Sequence, residues 1–152
     1  MSTTLRRPGR ADQYGNLEGV QTAAVRSDPR YQAYMLLRIG YTVLPLVMGI
    51  DTFFNVLTTW PQYLADWIDN IAPGTAQQFM YVVGGVEILA ALIVAIRPRY
   101  GAYVVAAWLA GIIINLVSYG EWYDVAVRDF GLMLGALTLG RLASFYDRRT
   151  VS

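Results

Sequence analysis

Polar residues that interrupt long apolar segments are the positions at which this chain could carry out chemistry, and they are Arg38, Asp51, Glu87, Asn115, Arg128 and Asp129. An ionisable side chain at the centre of a membrane helix costs about 2.5 to 3.5 kcal/mol, so each one needs a partner or a wet cavity. The chain contains no His and no Cys, and these residues supply most ligands of haem, zinc and iron–sulfur clusters. We therefore expect no catalytic residue and no covalent or metal-bound cofactor, with a quinone or a lipid as the candidate ligand.

Two ion pairs are the structural interpretation of the charged positions. Arg38 lies near the inner end of the first apolar segment, and Glu87 lies in the second segment somewhat toward the same side. The two side chains therefore match in depth. Asp51 and Arg128 match in depth toward the opposite side. Pairs of this kind would fix the arrangement of the helices without any catalysis.

A polar cleft is the functional interpretation of the same positions. Glu87, Asp51 and Asp129, together with Asn115, would line a site that binds a quinone head group, passes protons or holds a small polar ligand. Trp108, near the middle of the third segment, would border that ligand. Both interpretations stay open at the level of sequence.

Four apolar segments determine the predicted fold. The chain is 55% hydrophobic, and a helix of about 20 residues crosses a hydrocarbon core of about 30 Å. We predict an all-α, integral membrane bundle of four transmembrane helices within residues 33–146, between a basic arm of residues 1–32 and a short tail of residues 147–152. The predicted spans are Tyr34–Leu57, Ala76–Ile96, a third that starts near Tyr100 with its core at Ala102–Val117, and Val125–Phe145.

Arginine placement predicts the orientation, because basic residues are retained on the cytoplasmic side. The arm, the turn with Arg97 and Arg99, and the C-terminus carry arginine, whereas the loop from Thr58 to Thr75 has acidic residues and no basic one. Both termini are therefore expected in the cytoplasm. The arm itself is either a solvated, disordered segment or a docking segment for a partner or an anionic lipid surface.

The first outer loop has the pattern of a short amphipathic helix, which Thr59 would cap and Pro73 with Gly74 would end. Its apolar side chains recur at helical spacing and would lie in the membrane interface or on the end of the bundle: Trp60, Tyr63, Leu64, Trp67, Ile68 and Ile71. Small residues in the spans indicate faces that permit close helix approach. They are Gly84 and Gly85, then Ala102, Ala106 and Ala110, then Gly131 and Gly135.

Short motifs in order along the chain resemble the DoxX-like family of small four-helix bacterial membrane proteins. They are Leu37-Arg38-Ile39-Gly40 with Gly49-Ile50-Asp51 and Phe53-Phe54-Asn55, then Gly84-Gly85-Val86-Glu87-Ile88, Arg97-Pro98-Arg99-Tyr100-Gly101-Ala102 and Asp124-Val125-Ala126-Val127-Arg128-Asp129. Thr52 departs from the family, which commonly has a basic residue there. The resemblance implies a protein of the bacterial cytoplasmic (inner) membrane, and some relatives are subunits of quinone-linked oxidoreductases or partners of redox enzymes.

Three functions compete on these grounds. The first is a non-catalytic accessory subunit of a larger membrane complex, most plausibly a respiratory or other electron-transfer complex. The alternative is a small-molecule (quinone-like) binding or transport protein that uses the intramembrane carboxylates. The third, a quinone-dependent oxidoreductase that acts alone, requires a cofactor that the chain has no evident means of holding. The expected partners are membrane lipids and other subunits or further copies of the chain, not nucleic acid.

Overall fold

A computed structural model describes residues 24–71 and 74–149, and within these ranges all regular secondary structure is helical. The long helices agree with the four predicted segments, and the Ala76–Ile96 helix has the predicted bounds. Part of the predicted arm is helical, since the first long helix begins at residue 29; residues 1–23 of the arm and 150–152 of the tail lie outside the described ranges. The elements are α1 (Pro29–Phe54), a 3₁₀ turn (Trp60–Tyr63), α2 (Asp66–Ile71), α3 (Ala76–Ile96), α4 (Pro98–Tyr119) and α5 (Tyr123–Arg149).

Membrane-spanning length is present in three of these helices, α1, α3 and α4, which are long and apolar enough to cross a bilayer. Helix α5 is the longest helix, but Arg128, Asp129 and Arg141 interrupt its apolar sequence. Large apolar side chains are exposed on the outward faces of α1, α3 and α4. Such faces are compatible with a membrane protein, because a water-soluble bundle covers its large apolar patches.

Local sequence signals set where the helices begin. The Asp28 carboxylate accepts a hydrogen bond from the Arg30 N–H, and Pro29 occupies the first turn of α1. A capping box starts α3, because the Thr75 hydroxyl accepts from the Gln78 N–H while the Gln78 side chain accepts from the Thr75 N–H. These bonds satisfy backbone N–H groups that a helix start leaves unpaired.

Local signals also set where the helices end. Helix α1 is capped at its C-terminal end by Asn55, whose backbone is left-handed with φ 52°, and α4 by Gly120 with φ 87°. Helices α3 and α4 meet at Arg97, followed by Pro98, in the tightest turn of the bundle. We call the end of the bundle with Arg97 the turn end, and the end with residues 55–71 and 120–122 the loop end.

The bundle consists of two tightly packed pairs, α1 with α3 and α4 with α5, which join through α3 against α4 and α1 against α5. Glycine permits the first pair, because a Cβ on Gly84 would lie 2.7 Å from the Gly49 carbonyl oxygen and a Cβ on Gly49 equally close to that of Gly84. The buried core combines alanines, including Ala102 and Ala106, with larger side chains such as Tyr41 and Leu139. Gly131, by contrast, has no atom near its missing side chain.

The loop between α1 and α3 differs from the predicted single amphipathic helix. A 3₁₀ turn and α2 are separated at Leu64 and Ala65, both buried, with Leu64 in extended conformation. Thr59 makes no side-chain capping bond. The break arises because the Ala65 N–H donates to Asn115 of α4 instead of continuing a helix.

Candidate functional site

Glu87 is the polar residue nearest the middle of the bundle, about halfway along α3. Its carboxylate interacts with the Trp108 indole of α4, and the Asp129 carboxylate of α5 is a further electrostatic neighbour. Among the described residues, Glu87 Oε2 and Trp108 Nε1 are both buried and have no hydrogen-bond partner other than each other. We call Glu87, Trp108 and Asp129 the central cluster; it offers an acceptor and a donor at one place.

The close approach of α1 and α3 positions this cluster. A Cβ on Gly49 would lie 3.1 Å from the Glu87 Cβ, so the Glu87 side chain leaves α3 beside the Gly49–Gly84 crossing. From there it extends toward α4 and α5, where Trp108 and Asp129 lie. The cluster therefore depends on α3, α4 and α5, which carry its side chains, and on the Gly49 contact from α1.

Arg38 does not pair with Glu87, contrary to the predicted first ion pair. Its Nη2 donates to the Ala95 carbonyl oxygen at 2.7 Å, and the two side chains form no ion pair in the described part of the chain. Ala95 and Glu87 are separated by about 12 Å along α3, at 1.5 Å per residue. The carbonyl groups at the C-terminal end of a helix lack helical partners and favour a cation, which explains the position of Arg38.

Asp51 does not pair with Arg128, contrary to the predicted second ion pair. It is 8% exposed, and it accepts hydrogen bonds at 3.1 Å from the Val56 and Leu57 N–H groups and at 2.7 Å from the Trp60 indole. The reason is that α1 ends at Phe54, before the predicted Leu57, so Asp51 lies in the last turn beneath the loop. This carboxylate fastens the start of the loop.

Further polar residues at the loop end extend this network and were not predicted. Asn55 accepts from the Trp60 N–H at 3.2 Å and donates to Gln77 Oε1 at 3.0 Å. Gln77 in turn donates to the Thr52 carbonyl oxygen at 3.3 Å. Asparagine directly after an apolar helix was the available signal, since it tolerates the left-handed backbone of a helix end.

Asn115 fastens the second half of the loop onto α4. Its Nδ2 donates to the Tyr63 carbonyl oxygen at 2.7 Å, and its Oδ1 accepts from the Ala65 N–H at 3.0 Å. About one turn further along α4, the Ser118 hydroxyl accepts a hydrogen bond from the Trp67 indole at 2.8 Å. Asn115 therefore contacts the loop rather than a central cleft.

Arg128 and Asp129 form an ion pair with each other, with 3.7 Å between Nε and Oδ1. The Asp129 side chain is largely buried and the Arg128 side chain is 69% exposed. Asp129 thus contributes to the central cluster, whereas Arg128 extends outward from α5. The sequence placed both at the start of the fourth helix but did not separate their directions.

Two further features of the described residues bear on metal and ligand binding. No group of three or more His, Cys, Asp or Glu residues in residues 24–71 and 74–149 could hold a metal ion. An open groove of about 360 Å³ lies beside Asp51 and is lined mainly by apolar side chains, among them Val47, Ile50 and Phe54.

Comparison with protein-family models, with curated proteins and with solved structures finds no match to this chain. The DoxX-like resemblance therefore stays an expectation that rests on short motifs. In the structure, two of those motifs occupy positions that matter for packing: Gly84 lies at the crossing of α1 and α3, and Asp51 beneath the loop.

Proposed function

We propose that the chain is a non-catalytic accessory subunit of a larger membrane complex. One observation carries the proposal. The side chains of Arg38, Asp51 and Asn115 all form hydrogen bonds with backbone groups of this chain. These contacts hold the loop and the helix ends in place. A side chain that fixes the fold in this way is not presented to a substrate.

The proposal includes a fourth membrane span, α5, with both termini in the cytoplasm of a bacterial cell. Support comes from packing, because α5 lies along α4 and also meets α1, where the Tyr41 hydroxyl donates to the Leu132 carbonyl oxygen. Gly140 lies against Tyr103, close to the turn end. The positions of arginine support the orientation with the turn end inside.

An electron-transfer complex is the proposed setting, with other subunits supplying the redox cofactors. Two arguments support this: the DoxX-like motifs, and a sequence without His or Cys, which are the usual ligands of haem and iron–sulfur clusters. A partner would then supply those ligands. The basic arm is proposed as one docking segment, and its Arg6, Arg7 and Arg10 lie outside the described residues.

Extraction of the tagged chain from its native membranes in a mild detergent tests the proposal. We expect a particle much larger than the 16.9 kDa chain, containing other polypeptides and the absorbance of bound haem or flavin. A matched variant with Arg6, Arg7 and Arg10 replaced by Gln separates the arm from the bundle as the docking element. A particle that contains only this chain would contradict the proposal.

A ligand site at the central cluster is the second candidate function. The observation in its favour is that, among the described residues, Glu87 Oε2 and Trp108 Nε1 are buried with no hydrogen-bond partner other than each other. A buried polar group without a well-formed hydrogen bond ordinarily costs about 1 to 3 kcal/mol. A hydroquinone hydroxyl could donate to the carboxylate, and a quinone carbonyl could accept from the indole. Asp129 would be a second acceptor for such a head group.

Quenching of tryptophan fluorescence by a short-chain quinone tests this second candidate. Saturable quenching is expected in the wild-type protein, lost in Trp108→Phe and retained in Trp122→Phe, whose indole N–H is also buried without a partner. Glu87→Gln would weaken it. Quenching that rises linearly with quinone in all variants would mean partition into the detergent and no site.

A further inference from the structure

Helix α5 has an exposed row of residues that includes a hydroxyl and a guanidinium group. Val127, Gly131, Leu134, Thr138 and Arg141 follow one another at alternating intervals of four and three, and all are exposed. We call these five residues the α5 seam. Alternation of four and three is the spacing with which two helices pack at a shallow angle in membrane bundles.

The outward row of α3 provides the comparison. Val82, Gly85, Leu89, Leu92 and Ile96 have the same alternating spacing and are also exposed, but every one of them is apolar or glycine. Such a row is suited to lipid. The α5 seam has a hydroxyl and a guanidinium instead, and the exposed Arg128 lies beside its first residue.

The depth of Arg128 and Arg141 in the membrane decides whether their charges need a partner. Arg128 and Arg141 are separated by about 20 Å along the helix axis, less than a hydrocarbon core of about 30 Å. If α5 crosses the membrane over the predicted span Val125–Phe145, both arginines begin within that core. Arg141 forms no ion pair or hydrogen bond with any other residue in the described part of the chain.

We propose that the α5 seam binds a transmembrane helix of a different subunit, with a carboxylate or amide oxygen at the level of Arg128 and another at the level of Arg141. This rests on the proposed subunit function and on α5 as a span. Gly131, with nothing within 4 Å of its missing side chain, permits the partner backbone to approach closely.

Two other occupants of this face are a second copy of the chain and lipid. Charge argues against the first, and side-chain direction against the second. A second copy related by a two-fold axis along the membrane normal would place Arg128 against Arg128 and Arg141 against Arg141, which repel. Lipid phosphates are poorly placed for Arg141, because helical side chains leave the backbone toward the helix N-terminus. In a crossing α5 that direction leads away from the nearer membrane surface.

Photocrosslinking in native membranes tests the proposal. The photoreactive residue p-benzoylphenylalanine replaces Leu134 of the α5 seam or, as the matched control, Leu89 of the α3 row; the two leucines are 49% and 58% exposed. From Leu134 we expect a product with another polypeptide, mapped by mass spectrometry to an apolar segment that contains Asp, Glu, Asn or Gln. From Leu89 we expect lipid adducts.

The arginines are tested in the same experiment by combining Leu134 labelling with Arg128→Gln and Arg141→Gln. The protein product should fall about eightfold, since one polar contact between membrane helices changes association by about threefold. Arg97→Gln, at the exposed turn between α3 and α4, is the control and should leave the yield unchanged. An unchanged yield in the double variant would overturn the proposed polar recognition.

Other products identify what is wrong. A product of Leu134 with a second copy or with lipid alone overturns the heterologous seam. A product of Leu89 with another polypeptide, and none from Leu134, overturns the seam but leaves the subunit function standing. The absence of any product with another polypeptide, together with a single-chain particle in detergent, overturns both.

Discussion

Replacement of Gly84 by alanine should weaken the bundle, because it adds a methyl group where α1 and α3 cross. The new Cβ would lie 2.7 Å from the Gly49 carbonyl oxygen and 3.0 Å from the Thr52 Cβ. Ordinary carbon contacts are about 3.5 to 4.0 Å, so the helices must separate by roughly 1 Å. Overpacking of this kind costs about 1 to 3 kcal/mol.

Gly85→Ala is the matched control, since Gly85 has nothing within 4 Å of its missing side chain. Both substitutions carry the same gain in helix propensity, up to about 1 kcal/mol, so the difference between them isolates the steric term. We expect Gly84→Ala to be about 1 to 3 kcal/mol less stable than Gly85→Ala. Reversible unfolding in mixed micelles of a mild detergent and dodecyl sulfate measures it. Equal stability of the two variants would refute the tight crossing.

Three further substitutions test the polar contacts. Asp51→Ala should cost about 3 kcal/mol of unfolding free energy in the same micelle titration, because it leaves the Trp60 indole and two backbone N–H groups without their acceptor; a loss below about 0.5 kcal/mol would contradict the assigned contacts. Asn115→Ala should release the loop from α4 and speed proteolytic cleavage between Tyr63 and Trp67, with Ser118→Ala having a smaller effect; protection equal to the wild type would count against the Asn115 contacts. Glu87→Leu should unfold at the same or a higher temperature than Glu87→Gln, because Glu87 has no cationic partner among the described residues to leave behind; destabilisation by several kcal/mol would restore the predicted pair with Arg38.

Helix positions could be predicted from sequence because they depend on neighbouring residues. Helix α3 begins and ends at the predicted residues, since Thr75 with Gln78 caps its start and Pro98 prevents its continuation. The extent of α1 was harder, because Asn55 ends the helix by adopting a left-handed backbone while the apolar sequence continues to Leu57.

Partners of the polar residues could not be predicted, because depth along a helix does not fix the direction of a side chain around it. Arg38 and Glu87 match in depth only approximately, and a free carbonyl group at the end of α3 competes for the guanidinium. Asp51 and Trp60 are nine residues apart across an irregular loop, so no helical or strand spacing indicates their contact. Trp108, which would border a ligand in the polar-cleft interpretation, lies beside Glu87.

Labelling of single cysteines with an impermeant maleimide in intact cells measures on which side of the membrane each position lies. It therefore tests whether α5 crosses the membrane together with the other long helices. The native chain has no cysteine, so cysteines introduced one at a time at Thr4, Gln62, Glu121 and Ser152 report without background. Gln62 and Glu121 are expected to react in intact cells, and Thr4 and Ser152 only after the membrane is permeabilised. Reaction of one terminus and protection of the other would mean an odd number of spans, and would contradict the four-span bundle on which the proposed function rests.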